Sequence, residues 1–241
     1  MSFGYGFGPR TRRRGAIAAA PMPPDPDPGP DGMLVHSESF STSSQVSGIS
    51  LPVPEEAEED DVVVWFFMTP NKGPDTPSTS AISSDLTFVA GGNRSSMGTR
   101  IWYRIIDKTE PSEYTGNWLF GNGHYAVCAV VLRGADLADP IPTNGSYDSF
   151  SGDDEYPSPA LTVDRDGSVL FHLAAQNGSE IASTDHTGGI GGLVANETNA
   201  TNNLVVARED VNEGTSDTWL VTMATAGDGR GQAIVVQPEA T

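Results

Sequence analysis

Short apolar stretches separated by polar turn residues follow one another along most of the chain. The strongest is residues 61–68, where one aspartate precedes seven consecutive apolar residues, a pattern typical of a central strand buried on both faces. Further strands are predicted at residues 33–40, 45–51, 86–90, 99–106, 125–132, 160–163, 168–174, 204–207, 217–224 and 232–236. No segment has a convincing helical period. About ten to eleven short strands with turns between them predict an all-β fold, an antiparallel β-sandwich or jelly-roll-like single domain over residues 33–241.

Clusters of glycine, asparagine and aspartate mark the expected turns. They occur at residues 71–74, 91–93, 144–145, 164–167, 177–178 and 227–229. The Asp-Arg-Asp-Gly sequence at 164–167 predicts a tight hairpin between strands at 161–163 and 169–171. The break at 227–229 separates the last two predicted strands.

Apolar alternation within the strands predicts which side chains form the core. The expected inward residues are Val62, Val64, Phe66, Phe88, Ile101, Tyr103, Ile105, Val127, Ala129, Val131, Leu170, Leu173, Trp219, Val221 and Val235. Trp65 is also expected in the core. Cys128 is the only cysteine, which excludes an intramolecular disulfide. It lies in an apolar run and is predicted to pack as a small buried residue.

Residues 1–32 differ from the rest of the chain and are predicted to form an extended N-terminal arm. Aromatic residues alternate with glycine at its start, arginines follow, and six prolines fall within residues 21–30. The aromatic and arginine positions are Phe3, Tyr5, Phe7, Arg10, Arg12, Arg13 and Arg14. The proline tract favours polyproline II, at about 3.1 Å per residue, which makes it a semi-rigid spacer.

The start of the arm has the two-residue period of a strand. Phe3, Tyr5 and Phe7 would point to one side of an extended chain and the glycines to the other. Such a segment can add a strand to the exposed sheet edge of a partner, with the aromatic side chains in pockets and the arginines on acidic surface. The alternative is a disordered, solubilising terminus. The arm is therefore interpreted as an anchor for a protein partner.

Composition narrows the classes of function. The chain has 241 residues and a formal net charge of −19, which disfavours nucleic acid as a partner because both would be negatively charged. No apolar stretch is long enough for membrane insertion, and the apolar segment after Arg14 is too short for a cleaved signal. The acidic run 55–61 is interpreted as a solvated turn that guards the strongest strand, or as a site for a basic partner such as the arginines of a neighbouring subunit's arm.

No motif in the sequence nominates a catalytic, cofactor or metal site. The acidic turn at 164–167 lacks the third acid of a calcium loop, and the glycine-rich segment at 188–192 lacks the lysine of a phosphate loop. The chain is therefore predicted not to be an enzyme; a secreted carbohydrate-active enzyme would need a signal and a catalytic acid pair. Trp118, with Asn117 and Asn122, lies in a polar, glycine-rich segment. These three residues are candidate glycan contacts, because an exposed indole can stack on a sugar ring.

Six segments occur along the chain in an order that resembles that of a known group of proteins. They are Asp-Val-Val-Val at 61–64, Gly-Thr-Arg-Ile-Trp-Tyr-Arg at 98–104, Asp-Lys-Thr-Glu-Pro-Ser-Glu-Tyr at 107–114, Val-Leu-Arg-Gly-Ala-Asp at 131–136, Ser-Pro-Ala-Leu-Thr-Val at 158–163 and Asp-Gly-Ser-Val-Leu at 166–170. This succession resembles the β-sandwich modules of structural proteins of tailed bacteriophages, mainly tail and tail-fibre proteins. The resemblance covers about residues 61–175; the rest of the body matches less closely. The arm matches no module, but its aromatic, arginine-rich start resembles small virion proteins of such phages.

The resemblance implies a virion protein without catalytic residues. The expected function is that of a short tail fibre or minor tail protein, anchored through residues 1–32 and presenting the sandwich for host attachment. Its expected partners are other virion proteins, of the tail tip or baseplate or the major capsid protein, together with a host surface glycan; a homotrimer would suit this role. The alternative is a capsid decoration or cement protein whose arm laces neighbouring capsid subunits. Its expected location is the virion, after synthesis in the bacterial cytoplasm. At one end of the sandwich, Arg133 is expected to pair with Glu110 or Asp136.

Overall fold

The computed structural model describes residues 33–41, 50–70, 86–94, 97–115, 124–143, 148–177, 181–186, 192–198, 202–216 and 218–240. All regular elements in these ranges are β-strands, and all strand pairs are antiparallel. This confirms the predicted all-β class. The strands are β1 (Leu34–Ser41), β2 (Ser50–Pro52), β3 (Val62–Pro70), β4 (Thr87–Arg94), β5 (Met97–Ile105), β6 (Glu113–Thr115), β7 (Ala126–Leu132), β8 (Asp148–Ser158), β9 (Thr162–Val163), β10 (Ser168–Asn177), β11 (Ile181–His186), β12 (Gly192–Thr198), β13 (Asn202–Val211), β14 (Gly214–Thr215) and β15 (Trp219–Val236). The described ranges contain no helix of the length and apolarity needed to cross a membrane.

The first large sheet has the strand order β1-β7-β3-β5-β4. The apolar run predicted as a central strand is β3, the middle strand, and Val62 lies opposite Leu132 of β7 and Ile105 of β5. Both faces of β3 are buried. That position explains why its sequence is continuously apolar and does not alternate.

The second large sheet has the order β11-β15-β10-β13-β12, and β8 pairs with the other side of β15. The predicted break at residues 227–229 is wrong, because β15 runs unbroken from Trp219 to Val236. Its register against β8 shifts between Thr222 and Asp228. The glycines there accommodate an irregularity within one long strand instead of ending it.

Two glycines let the β8–β15 ribbon fold back on itself. A Cβ added at Gly229 would lie 2.1 Å from the Tyr156 ring, and one at Gly231 would lie 2.0 Å from the Pro157 carbonyl oxygen. Pro157 pairs with Leu220 in the ladder, yet its carbonyl lies against Gly231. The first half of β15 therefore lies over the outer face of the second sheet, in a cluster made of Tyr156, Ala174, Val205, Ala207, Trp219, Val221 and Met223.

The main core lies between the two large sheets. Phe66 of β3 and Phe171 of β10 meet there with ring centroids 5.4 Å apart. Cys128 belongs to this core, as predicted, and burial raises the pKa of its thiol. Among the predicted inward residues only Phe88, Tyr103 and Ile105 are not fully buried.

A second apolar layer covers the outer face of the first sheet. Val127, Ala129 and Val131 of β7 face this layer and not the space between the sheets. The small β2–β6 sheet covers it: the Trp65 indole donates to the Pro52 carbonyl at 2.7 Å, and its ring meets that of Tyr114 edge-on at 5.7 Å. The core prediction for Trp65 is thereby confirmed.

Two turn predictions need correction. Residues 164–167 do form a turn, with Gly167 at a φ of 75°, but β9 pairs with β14 and β10 pairs with β13 and β15. The predicted hairpin between 161–163 and 169–171 is therefore wrong. Residues 91–93 lie inside β4 rather than in a turn. At 164–167, pairing of the flanking strands with distant partners overrides the local preference for a hairpin. At 91–93, the chain continues as a strand because these residues pair with residues 98–100 of the next strand, β5.

Candidate functional site

The residues predicted to bind partners lie outside the described part of the chain. They are Phe3, Tyr5, Phe7, Arg10, Arg12, Arg13 and Arg14 of the arm, and Asn117, Trp118 and Asn122 of the candidate glycan segment. The described residues next to them fix where each segment joins the body. Met33 follows the arm, and its carbonyl accepts a hydrogen bond from the Arg133 N–H at 2.8 Å.

The two segments join the body at opposite ends of the first sheet. Leu34, just after the arm, pairs with Leu132, the last residue of β7, whereas Ser41 pairs with Ala126, the first. The candidate glycan segment precedes that first residue. The seven residues of β7 separate the two ends by about 20 Å, at roughly 3.4 Å per residue.

The end of the sandwich that receives the arm is strongly acidic. Seven strands begin or end there: β1, β3, β5 and β7 of the first sheet, and β10, β13 and β15 of the second. Its connecting segments are 53–61, 106–112, 133–143, 164–167, 212–213 and 237–240; we call them together the acidic end. They contain fourteen carboxylate side chains and three basic ones, a formal net charge of −11. This charge creates a field that attracts cationic groups.

A buried carboxylate organises the acidic end. Asp61, whose side chain is 2 % exposed, accepts hydrogen bonds from Arg133 Nε at 3.0 Å and Nη2 at 2.9 Å, and from the Glu58 N–H at 2.9 Å. Arg133 also contacts the Glu58 carboxylate at 3.2 Å. The two hydrogen bonds from Arg133 to Asp61 match the planar guanidinium to the carboxylate. They fix the loop that precedes β3.

The predicted partners of Arg133 are wrong. Glu110 instead accepts from Arg104 Nε at 2.7 Å, and Asp136 pairs with Arg165 at 2.7 Å. The reason is register: Val62 lies opposite Leu132, so the residues one step further out on the two strands, Asp61 and Arg133, become cross-strand neighbours. Only knowledge that β3 pairs with β7 would have revealed this contact in the sequence.

The acidic run 55–61 divides into two roles. Asp61 is buried, whereas the other carboxylates of the run are exposed and lie in two turns. Exposed acidic turns are what the interpretation as a solvated turn before β3 expects. Residues 58–61 of the run, together with Arg133, Gly134, Leu137 and Glu239, line an open depression of about 230 Å³. Within the described ranges, no group of three or more histidine, cysteine or acidic side chains is placed to hold a metal ion.

Asp136 ties the two sheets together at the acidic end. Arg165 Nη1 donates to the Asp136 carboxylate and to the Pro238 carbonyl, both at 2.7 Å, and the Ala138 N–H donates to Asp136 at 2.9 Å. The hydrogen bond from Arg165 and, to a smaller extent, the one from the Ala138 N–H lower the pKa of Asp136 below its ordinary value.

We expect Asp136→Asn to destabilise the protein fully above about pH 4, with an effect that shrinks as the pH falls below that value and disappears in strong acid. A carboxylate whose folded-state pKa is depressed contributes its stabilisation above the unfolded pKa and loses it as the pH falls through the folded pKa. Thermal unfolding of both proteins across pH measures the difference, with Asp139→Asn as an exposed control. A difference that persisted unchanged in strong acid would contradict this assignment.

A serine, a histidine and a carboxylate also meet within the second sheet. Ser158 Oγ is hydrogen-bonded to His172 Nδ1, and His172 Nε2 lies 3.8 Å from the Glu209 carboxylate. The three residue types match a nucleophilic triad, and sequence reasoning did not find them. Ser158 and His172 are nevertheless buried, with the Trp219 ring 5.5 Å from the imidazole, so no substrate atom reaches the hydroxyl. The group instead joins the end of β8 to β10.

The described residues thus present one organised surface feature, the acidic end beside the arm junction. Comparison of the chain with protein-family models, with curated proteins and with solved structures finds no match.

Proposed function

We propose that the chain is a non-enzymatic virion protein of a tailed bacteriophage. Residues 1–32 anchor it to another virion protein, and the sandwich projects from that anchor. Its role is that of a short tail fibre or minor tail protein that contacts the host surface. The segment 116–123 with Trp118 supplies the glycan contact.

One observation carries this proposal: the arm and the candidate glycan segment join the body at opposite ends of β7. A protein that is held at one end and contacts its target with the other needs this polarity. The body between the ends is stiffened by apolar layers between the sheets and on both outer faces. Such layers resist deformation because interiors pack densely. Many copies on one particle would strengthen weak binding at each site.

The acidic end favours a second candidate, a capsid decoration or cement protein. Its net charge of −11 lies beside the point where the arm joins at Met33. The arginines of an arm from a neighbouring subunit would meet complementary charge there, and a capsid lattice brings such neighbours close together. The two candidates share the anchored arm and differ in where the protein sits on the particle.

Location on the particle tests the proposal and separates the candidates. We expect gold-labelled antibody against the body to mark the tail tip of intact particles in electron micrographs. Gold over the head would favour decoration, and particles without gold would refute both.

The arm is tested in the same particles by a full-length variant in which Phe3, Tyr5 and Phe7 are changed to alanine. We expect incorporation to fall at least tenfold, because the three side chains supply the apolar contacts of the docked strand. A chain with Met22→Ala serves as the control. Unchanged incorporation of the triple variant would contradict the anchoring role.

A further inference from the structure

A groove lies beside strand β1 on the outer face of the first sheet. Its volume is about 360 Å³, and its lining residues are Glu38 and Phe40 of β1, Ser50 and Pro52 of β2, and Glu113 of β6. Ser39 points the other way, because its hydroxyl donates to the Glu197 carboxylate of β12 at 2.6 Å. Side chains alternate along a strand, so the two groove residues of β1 face away from the second sheet.

The groove combines apolar surface with negative charge. Phe40 packs against the apolar layer of the first sheet but is only partly buried. The carboxylates of Glu38 and Glu113 form no ion pair within the described part of the chain. Burial raises the pKa of Glu38; the charge of His36 opposes the rise, and the carboxylates at 55–56 add to it. The groove therefore suits a ligand that has both apolar and cationic groups.

Strand β1 also has an edge that can accept a further strand. It is the end strand of the first sheet, and β7 is its only strand partner among the described residues. The N–H and C=O groups of such an edge can pair with another chain. On the inner side β12 packs against β1, where Ser39 meets Glu197. A strand added at this edge would therefore have room for side chains on its groove face and little room on its inner face.

We propose that the arm of a second copy of the chain adds a strand antiparallel to β1, with Phe3, Tyr5 and Phe7 on the groove side. This inference rests on the anchoring role proposed above for the arm, and it names the partner. The two-residue spacing of the aromatic residues matches that of Glu38 and Phe40. The glycines between the aromatic residues have no side chain to collide with β12, which gives the alternation a physical reason.

The antiparallel direction also brings the arginines of the arm to opposite charge. β1 starts at the acidic end and runs away from it, so an antiparallel arm runs back towards that end. With Tyr5 opposite Phe40, the arginines between positions 10 and 14 come level with residues 31–35. The net charge of −11 at the acidic end attracts them there. One strand direction thus serves both the aromatic and the cationic part of the arm.

The proline tract favours the arm of a neighbour over the chain's own arm. A chain that docked its own arm would have residues 14 and 33 at the same end of the body, so the connection between them must turn back. Residues 21–30, if extended, span about 31 Å. The return would fall to residues 15–20 and 31–32, which can span at most about 29 Å and would have to be almost fully extended. An arm from a neighbouring copy needs no such return.

Self-association of the full chain, measured by sedimentation velocity over a range of concentrations, tests the inference. We expect dimers and larger species to grow with concentration, because an arm-to-groove contact is heterologous and can repeat. Two variants should associate at least tenfold more weakly. The arm variant has Phe3, Tyr5 and Phe7 changed to alanine, and the groove variant carries Glu38→Arg and Glu113→Arg. Met22→Ala in the arm and Asp154→Arg, at an exposed position of β8, are the matched controls and should associate as the unchanged chain does.

A mixture of the arm variant and the groove variant gives the sharpest result. Each lacks a different half of the contact, so together they should form a one-to-one complex and no larger species. Thermal unfolding shows whether the groove variant is folded; if it is not, Glu113→Arg alone, at an exposed position, takes its place. An unchanged chain that stays monomeric at every concentration, or a mixture that forms no complex while both controls associate, overturns the inference.

The outcome is separable from that of the proposed function. If the chain stays monomeric while gold still marks particles and the arm variant still fails to incorporate, the arm binds a different virion protein and only this inference is wrong. If the chain self-associates through the groove but no particle carries gold, the virion role is refuted and the contact between arm and groove stands.

Discussion

Gly231→Ala should lower the free energy of unfolding by about 3 kcal/mol, the upper part of the range for overpacking a dense interior. The added methyl carbon would lie 2.0 Å from the Pro157 carbonyl oxygen and 2.7 Å from its carbon. Both are backbone atoms, so no rotamer change relieves the clash. The β8–β15 ribbon would have to open where it folds back over the second sheet. Thermal unfolding should register the loss as a melting temperature lower by roughly 10 °C.

Gly134→Ala is the matched control for this substitution. Gly134 has a φ of 73° and no atom within 4 Å of an added Cβ. Its replacement therefore costs only the left-handed backbone conformation, about 1 kcal/mol. If Gly231→Ala were no more destabilising than Gly134→Ala, the ribbon would not be folded as tightly as described.

Arg133→Ala should destabilise the protein by about 2 kcal/mol, because it leaves a buried carboxylate without its charged partner. Of the hydrogen bonds described above, the Asp61 carboxylate would keep the one from the Glu58 N–H. Adding Asp61→Asn to the Arg133→Ala chain should recover part of the loss, since the remaining group is neutral. Chemical denaturation of both single variants and the double variant gives the coupling between the two side chains.

The control for Arg133 is another cation of the acidic end. Lys108 contacts Glu59 at 2.9 Å, but its side chain is 77 % exposed. Lys108→Ala should therefore change stability by less than about 0.5 kcal/mol. Equal effects of the Lys108 and Arg133 substitutions would mean that net charge, and not the buried contact with Asp61, stabilises this end.

The sequence predicted the apolar strands well and the polar ones poorly. β3 and β7 were found because their runs of valine and aromatic residues have few alternatives to a buried strand. β8 and β12, with the sequences Asp-Ser-Phe-Ser-Gly-Asp-Asp-Glu-Tyr-Pro-Ser and Gly-Leu-Val-Ala-Asn-Glu-Thr, were missed. Their strand conformation comes from pairing with β15 and β13, a tertiary influence that local propensity does not carry.

The candidate site shows the same limit. The acidic run at 55–61 was visible as composition, but the buried contact of Asp61 joins residues 72 positions apart and depends on the β3–β7 register. The Arg230 side chain that occupies the space beside Gly92 comes from the other large sheet, and this approach, which explains the glycine, could not be predicted from local sequence. The arm and the glycan segment remain predictions from sequence, because their residues lie outside the described ranges.

Burial of the only cysteine gives the protein a practical chemical property. The Cys128 side chain is enclosed between the sheets, and burial keeps its thiol protonated at neutral pH by raising its pKa. Maleimide reagents need an accessible thiolate, so the native chain should remain unlabelled. A cysteine introduced at exposed Ala240 or Thr87 would then be the single point of attachment for a fluorophore.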